Sequence, residues 1–296
     1  MTILTIRHET AYRFGKLVGL NPHQLMMRPR ESRDLRVISH VIKLTPLGEI
    51  KWAVDVFGNS VAMATFASLT DRLVVESISQ IELTSTQWPV FPISASAISY
   101  PFRYTNDEWI DLGALVTPQY DDAAGAVLNW AHSFVLGSPT DTLSLLKDLN
   151  SGVSRRIRYE SRDAEGTQTP AETLQLEVGT CRDMATLLME AARILGFGCR
   201  MVSGYLYDPD ITSLGSAGSG STHAWAEIYV PGAGWITFDP TNRGVGGHNL
   251  IPVAVARDIR QVTPVSGSYG GAPATTEMTV RVRVSATVPP ELTSSD

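Results

Sequence analysis

A chain of 296 residues is long enough for two modest domains or one large one. With 43% apolar and 18% charged residues it has the make-up of a globular protein with a core to bury, which excludes a disordered or fibrous class. A net charge of −6 and the lack of a long Lys/Arg stripe argue against a nucleic-acid partner; Arg155, Arg156 and Arg158 read as a short solvated cluster. No run of about 18 apolar residues suggests a transmembrane helix, so no membrane partner is expected. Met1 is followed at once by strand-like sequence with no charged or apolar leader, so no signal peptide is expected and a cytoplasmic, reducing setting is the default.

Residues 2–84 alternate apolar and polar side chains. Strands are predicted over 2–14, 37–44, 51–56 and 73–83, with turn residues such as Gly58-Asn59 between them, giving a β-rich N-terminal module over 1–84. Residues 85–120 are rich in Pro, Ser, Thr and aromatics and read as an irregular connection. The remainder, 121–296, reads as one core. A helix is predicted from Asp121-Asp122-Ala123 to about residue 135, and a second from Pro139-Thr140-Asp141 toward 153. Pro170 starts a short helical turn. A strongly periodic helix follows, with Met184, Leu187, Leu188, Ala191, Ala192 and Leu195 on one face and Gly196 as its stop. Strands are then predicted over 199–207, 224–230, 235–239, 253–258 and 278–288. Loops are expected at 212–221, before His223, and at 265–276, with a frayed end at 289–296. The whole is α+β, helices packed on an antiparallel sheet behind a β-rich module.

Cys181 stands out. It opens the periodic helix after a glycine turn, where the helix dipole and free backbone N–H groups favour thiolate over thiol, and the thiolate is the nucleophile. Downstream come His223 in Thr222-His223-Ala224-Trp225 and Asp239 in Thr237-Phe238-Asp239-Pro240. Attacker, proton carrier and orienting carboxylate are what nucleophilic acyl transfer needs. A hairpin over the interval sets His223 and Asp239 side by side on adjacent strands. Cys199 lies in a strand pattern and reads as a small core hydrophobe. Two cysteines are too few for a disulfide framework, and a Cys181–Cys199 bond would consume the nucleophile. Asp183 reads either as a partner of the site or, preferentially, as a carboxylate on the helix dipole. Trp225 and Trp235 read as core or site-wall aromatics; Tyr159 and Tyr205 either line the cleft or simply pack. His8-Glu9 lacks the second histidine of a zinc-protease motif, and no paired Cys-x-x-Cys exists, so no metal site is expected. Of His23, His40, His132 and His248, only His248, in the Gly-rich run near Asp239, is a weak rival base.

The blocks Gly179-Thr180-Cys181-Arg182-Asp183, Val202-Ser203-Gly204-Tyr205, His223-Ala224-Trp225-Ala226-Glu227 and Gly234-Trp235-Ile236-Thr237-Phe238-Asp239-Pro240-Thr241-Asn242 resemble the transglutaminase-like, papain-like superfamily. The resemblance is to its bacterial proteins, described as candidate cysteine proteases. Arg7-His8-Glu9-Thr10-Ala11-Tyr12-Arg13-Phe14 and Asn21-Pro22-His23-Gln24-Leu25-Met26-Met27-Arg28-Pro29-Arg30 resemble that group's N-terminal region. It implies a papain-like core with Cys181 as nucleophile, His223 as general base then acid, and Asp239 as orienter. It also implies a cofactor-independent cysteine peptidase or amidase acting on a peptide or protein substrate through its carboxamide or peptide bond. Transfer to an amine, cross-linking proteins, is the alternative to hydrolysis, and a binding domain with a vestigial triad is another. Thr186 stands where members often carry a histidine.

Overall fold

The computed structural model describes residues 2–85, 89–161, 166–207, 221–271 and 276–286. The N-terminal half is built from β1 (Thr2–Leu20), β2 (His23–Leu25), β3 (Leu35–Thr45), β4 (Gly48–Val54), β5 (Ser60–Phe66) and β6 (Leu69–Leu83). They lie in two sheets, one holding β1, β6 and β3, the other holding β2, β5 and β4. Phe14, Val18 and Leu20 of β1 and Leu73 and Val75 of β6 pack on Leu25, Ala62 and Ala64. Alternation along the strands thus closes a sandwich, since residues i and i+2 share a face. At the far end of the long sheet, Leu4, Ile6, Ile81 and Leu83 pack instead on Tyr205, Ile251 and Val253 of the C-terminal half.

After β7 (Ser99–Tyr100) and α1 (Asn106–Leu112) come α2 (Ala126–His132), β8 (Thr140–Asp141), α3 (Thr142–Arg156), β9 (Arg158–Tyr159), α4 (Pro170–Leu176), β10 (Val178–Gly179) and α5 (Cys181–Ile194). The main sheet follows: β11 (Gly198–Leu206), β12 (Ser221–Val230), β13 (Gly234–Asp239), β14 (Gly244–Val245) and β15 (Leu250–Ala256), in spatial order β14-β13-β12-β11-β15 with antiparallel pairing throughout. All six residues of the predicted apolar face of α5 are buried. They pack on Ala224, Ala226 and Ile228 of β12 and are flanked by Leu145, Leu146 and Leu149 of α3. Each large apolar side chain so buried contributes about 1.5–3 kcal/mol. Glu190 and Arg193 of α5 form a fully buried ion pair at 2.6 Å. Glu190 accepts the Gln119 and Tyr120 amides, while Arg193 donates to the Leu115, Cys199 and Arg257 carbonyls. No described helix is long and apolar enough to cross a membrane.

Three expectations are corrected here. The stretch 85–120 is not wholly irregular: α1 forms within it, capped reciprocally by Thr105 and Glu108. The helix expected from Asp121 starts only at Ala126, because Gly125 takes a left-handed conformation and the Asp122 carboxylate caps the Val127 and Leu128 amides. The end of the chain does not stay with the core. β16 (Val265–Ser266) pairs with β2, whereas β17 (Tyr269–Gly270) and β18 (Thr276–Ala286) pair with β1. The loop predicted at 265–276 is corrected too, since β16 and β17 form within it; its residues 272–275, residues 212–220 of the loop predicted at 212–221, and the frayed end lie outside the described residues.

Candidate active site

Thr180 is the N-cap of α5 and Cys181 its first residue. The Thr180 hydroxyl accepts the Asp183 amide, and Asp183 Oδ2 accepts the Thr180 amide at 2.8 Å. Asp183 Oδ1 takes the Gln168 amide at 2.7 Å. So Asp183 is a fully buried capping carboxylate that locks the turn beneath Cys181, the preferred of its two readings. Gly179 is required there: a Cβ would lie 2.9 Å from that of Asp183. Cys181 is partly exposed with a free thiol, and as the first helical residue its backbone N–H lacks an intrahelical acceptor.

His223 enters from the start of β12 and Asp239 from the end of β13, adjacent strands in register from Ala226↔Phe238 to Val230↔Gly234. His223 Nε2 lies 2.8 Å from Asp239 Oδ2, both side chains being buried. That leaves Nδ1 clear of Asp239, and Cys181 is near enough to the same ring to raise its hold on a proton. Burial alone would push the imidazole down. The hydrogen bond to Asp239, then the nearness of the Cys181 thiol, with the charges of both, outweigh it and raise His223 to about 9. Burial works against the Asp239 charge too, but the bonds to His223 and Asn242 hold its carboxyl below the usual range. Asp239 Oδ1 is occupied by the Thr241 and Asn242 amides at 3.0 and 3.3 Å.

The structure therefore brings Cys181, His223 and Asp239 together. His248, the rival base, is exposed; its carbonyl accepts Ser85 Oγ. Cys199 is buried with its thiol pushed up to about 12, and no disulfide joins it to Cys181. Tyr159 stands across β9–β10 from Gly179, two residues before Cys181; burial, and after it the Cys181 charge, push its phenol up. Tyr205 does not line the cleft: it is buried, its hydroxyl 2.9 Å from His8 Nδ1. Trp225 stacks obliquely 6.0 Å from His223, a wall of the site, while Trp235 carries the Arg200 guanidinium over its ring at 4.3 Å. Thr186 returns its hydroxyl to the Arg182 carbonyl. Asn242, not singled out by sequence reasoning, donates its side-chain amide to Asp239 Oδ2 at 2.8 Å. The described residues hold no cluster of three or more His, Cys, Asp or Glu suited to a metal.

The comparisons return a transglutaminase-like fold. Residues 129–240 match the model of the transglutaminase-like superfamily, and residues 4–82 that of the bacterial transglutaminase-like N-terminal region. The chain thus carries a transglutaminase-like core over 129–240 behind a bacterial transglutaminase-like N-terminal region over 4–82. It is 26% identical over 279 residues to an uncharacterized protein of Mycobacterium tuberculosis, covering 88% of this chain and 86% of that one. To an uncharacterized protein of Mycobacterium leprae it is 25% identical over 288 residues, covering 92% and 95%. The crystal structure of a candidate cysteine protease from Cytophaga hutchinsonii superimposes with a TM-score of 0.74 at 16% identity, over 97% of this chain and 91% of that one. At that identity the likeness is one of fold.

Proposed function

We propose that this protein is a cysteine-dependent hydrolase of amide or peptide bonds in a peptide or protein substrate. The carrying observation is the buried His223–Asp239 hydrogen bond beside Cys181 at the start of its helix, with the imidazole holding its proton up to about 9. The Cys181 sulfur, its proton passed to His223, attacks the carbonyl carbon, and the C=O π pair moves onto oxygen. The backbone N–H of Cys181 is the natural donor to that oxyanion. As the tetrahedral adduct collapses, the C–N bond breaks and His223 gives its proton to the leaving amine, leaving a thioester. Water then attacks with His223 as base, releasing a carboxylic acid and the thiol. Asp239 fixes the ring and stabilises its charge. Hydrolysis is favoured over transfer to an amine because water needs no acceptor pocket.

The test is the rate of Cys181 alkylation by iodoacetamide from about pH 4 to 9, read by intact mass, in the wild type and His223→Ala. Rapid labelling near pH 5 that collapses in the variant is expected, and would justify screening peptide and glutamine substrates with and without an added amine. Slow labelling indifferent to His223 would sink the hydrolase reading.

A further inference from the structure

We propose that Asn242 is a positioning residue of this site, its carboxamide fixing the face of Asp239 that His223 meets. The inference rests on the cysteine-dependent reading above. Asp239 Oδ2 receives two donors at the same 2.8 Å, His223 Nε2 and Asn242 Nδ2. These two nitrogens lie 3.4 Å apart, side by side over one oxygen rather than bonded to each other, since both donate. Only the amide nitrogen can face that oxygen, because the Asn242 carbonyl there would repel the carboxylate. Oδ1 is taken by the Thr241 and Asn242 backbone amides. One oxygen is thus closed by the chain, and on the other the carboxamide holds one lone-pair direction and leaves the second for the imidazole.

The turn presents Asn242 on purpose-built backbone. Arg243 sits at φ 56°, a left-handed conformation uncommon for a residue with a Cβ. β13 and β14 pair through Asp239↔Gly244 behind it. From α3, Asn150 donates to the Gly244 carbonyl at 3.3 Å and Ser154 to that of Pro240, so the turn is tied down on both sides of Asn242. The Asn242 side chain is not what closes the turn, because the Asp239 carboxylate already caps the Thr241 and Asn242 amides. It is spare for the site.

Two consequences follow. The carboxamide draws charge from the oxygen that stabilises the imidazolium, so removing it makes His223 hold its proton to higher pH. It also stops Asp239 turning, so removing it loosens the ring that faces Cys181. The experiment uses the full chain in four forms: wild type, Asn242→Ala, Asn242→Asp and His223→Ala. The His223 titration is followed by NMR with labelled histidine, the last variant assigning the signal, alongside iodoacetamide labelling of Cys181 and thermal melting. In Asn242→Ala we expect labelling roughly three- to tenfold slower, the equivalent of one hydrogen bond, and a His223 midpoint raised by at least ~0.3 pH unit, with melting unchanged. Asn242→Asp keeps turn chemistry but sets a second carboxylate against Asp239, so it labels at least as slowly as the alanine variant. Full recovery in Asn242→Asp, or a lowered melting temperature with midpoint and labelling unmoved, would show a residue that merely shapes the turn and overturn the proposal. If wild type and His223→Ala label alike, the hydrolase reading itself has failed, a result distinct from either.

Discussion

Two buried histidines, one in each half of the molecule, have been driven in opposite directions. His8 of β1 sits under the joint between the halves, its nitrogens met by the hydroxyls of Tyr205 and Thr10 at 2.9 and 3.1 Å, and burial pushes it down to about 4. His223 is also buried, and burial is again the largest influence, yet it ends at about 9. The difference is the company. Neutral hydroxyls accept either protonation state, so desolvation decides and the ring stays neutral; a buried carboxylate and a thiol reverse the balance. The same contrast runs through the ion pairs. Those of the N-terminal sheets, such as Arg7–Glu76, lie on the surface, whereas the C-terminal half buries Glu190–Arg193 beneath its main sheet.

The largest expected effect comes from making His223 resemble His8. In Asp239→Asn the ring keeps a hydrogen-bond partner but loses the charge that offsets its burial. Its titration should fall from about 9 to below the ordinary 6.5, and the amide hydrolysis proposed above should drop roughly 10³- to 10⁴-fold. Histidine NMR reads the first and initial rates the second; a midpoint still near 9 would contradict the electrostatic account. Next in size is the ion-pair contrast. Glu190→Gln leaves the Arg193 charge buried without its counter-ion and should cost about 3–5 kcal/mol in urea unfolding. Glu76→Gln on the outer face of β6 should cost about 0–1 kcal/mol. Equal losses would remove the distinction between the halves.

How much of this was legible in the sequence depended on whether the signal was local. The helix of Cys181 was, because six apolar residues at helical spacing mark one face and all six are buried. So were the positions of Cys181, His223 and Asp239, whose contexts put the first at a helix start and the other two on adjacent strands. α1 escaped because seven residues are too few for periodicity, although its Thr105–Glu108 capping box was a usable sign. β18 was recognised as a strand but not as a neighbour of β1: alternation tells which face is buried, not which strand lies beside it, and Arg281↔Glu9 pairs residues from opposite ends of the chain. Asn242 was quoted within its motif without a role, since only the folded turn shows its amide on Asp239.

The two histidines also give a pH-dependent prediction, on the order of 3 kcal/mol for each. The folded value of His8, about 4, lies below the 6.5 of the unfolded chain, so its neutral form adds stability above 6.5 that is lost as pH falls toward 4. His40, likewise pushed to about 4 by burial, adds to the same limb. For His223 the folded value lies above 6.5, so its contribution is complete below 6.5 and lost as pH rises through about 9. Stability measured against pH should therefore slope down on both sides. His8→Gln should flatten part of the acid slope, His40 keeping the rest, and leave the alkaline slope alone, whereas His223→Gln should flatten the alkaline slope only. An acid slope indifferent to His8 would mean that the joint between the halves admits its proton, and that hydroxyl partners alone do not keep a buried imidazole neutral.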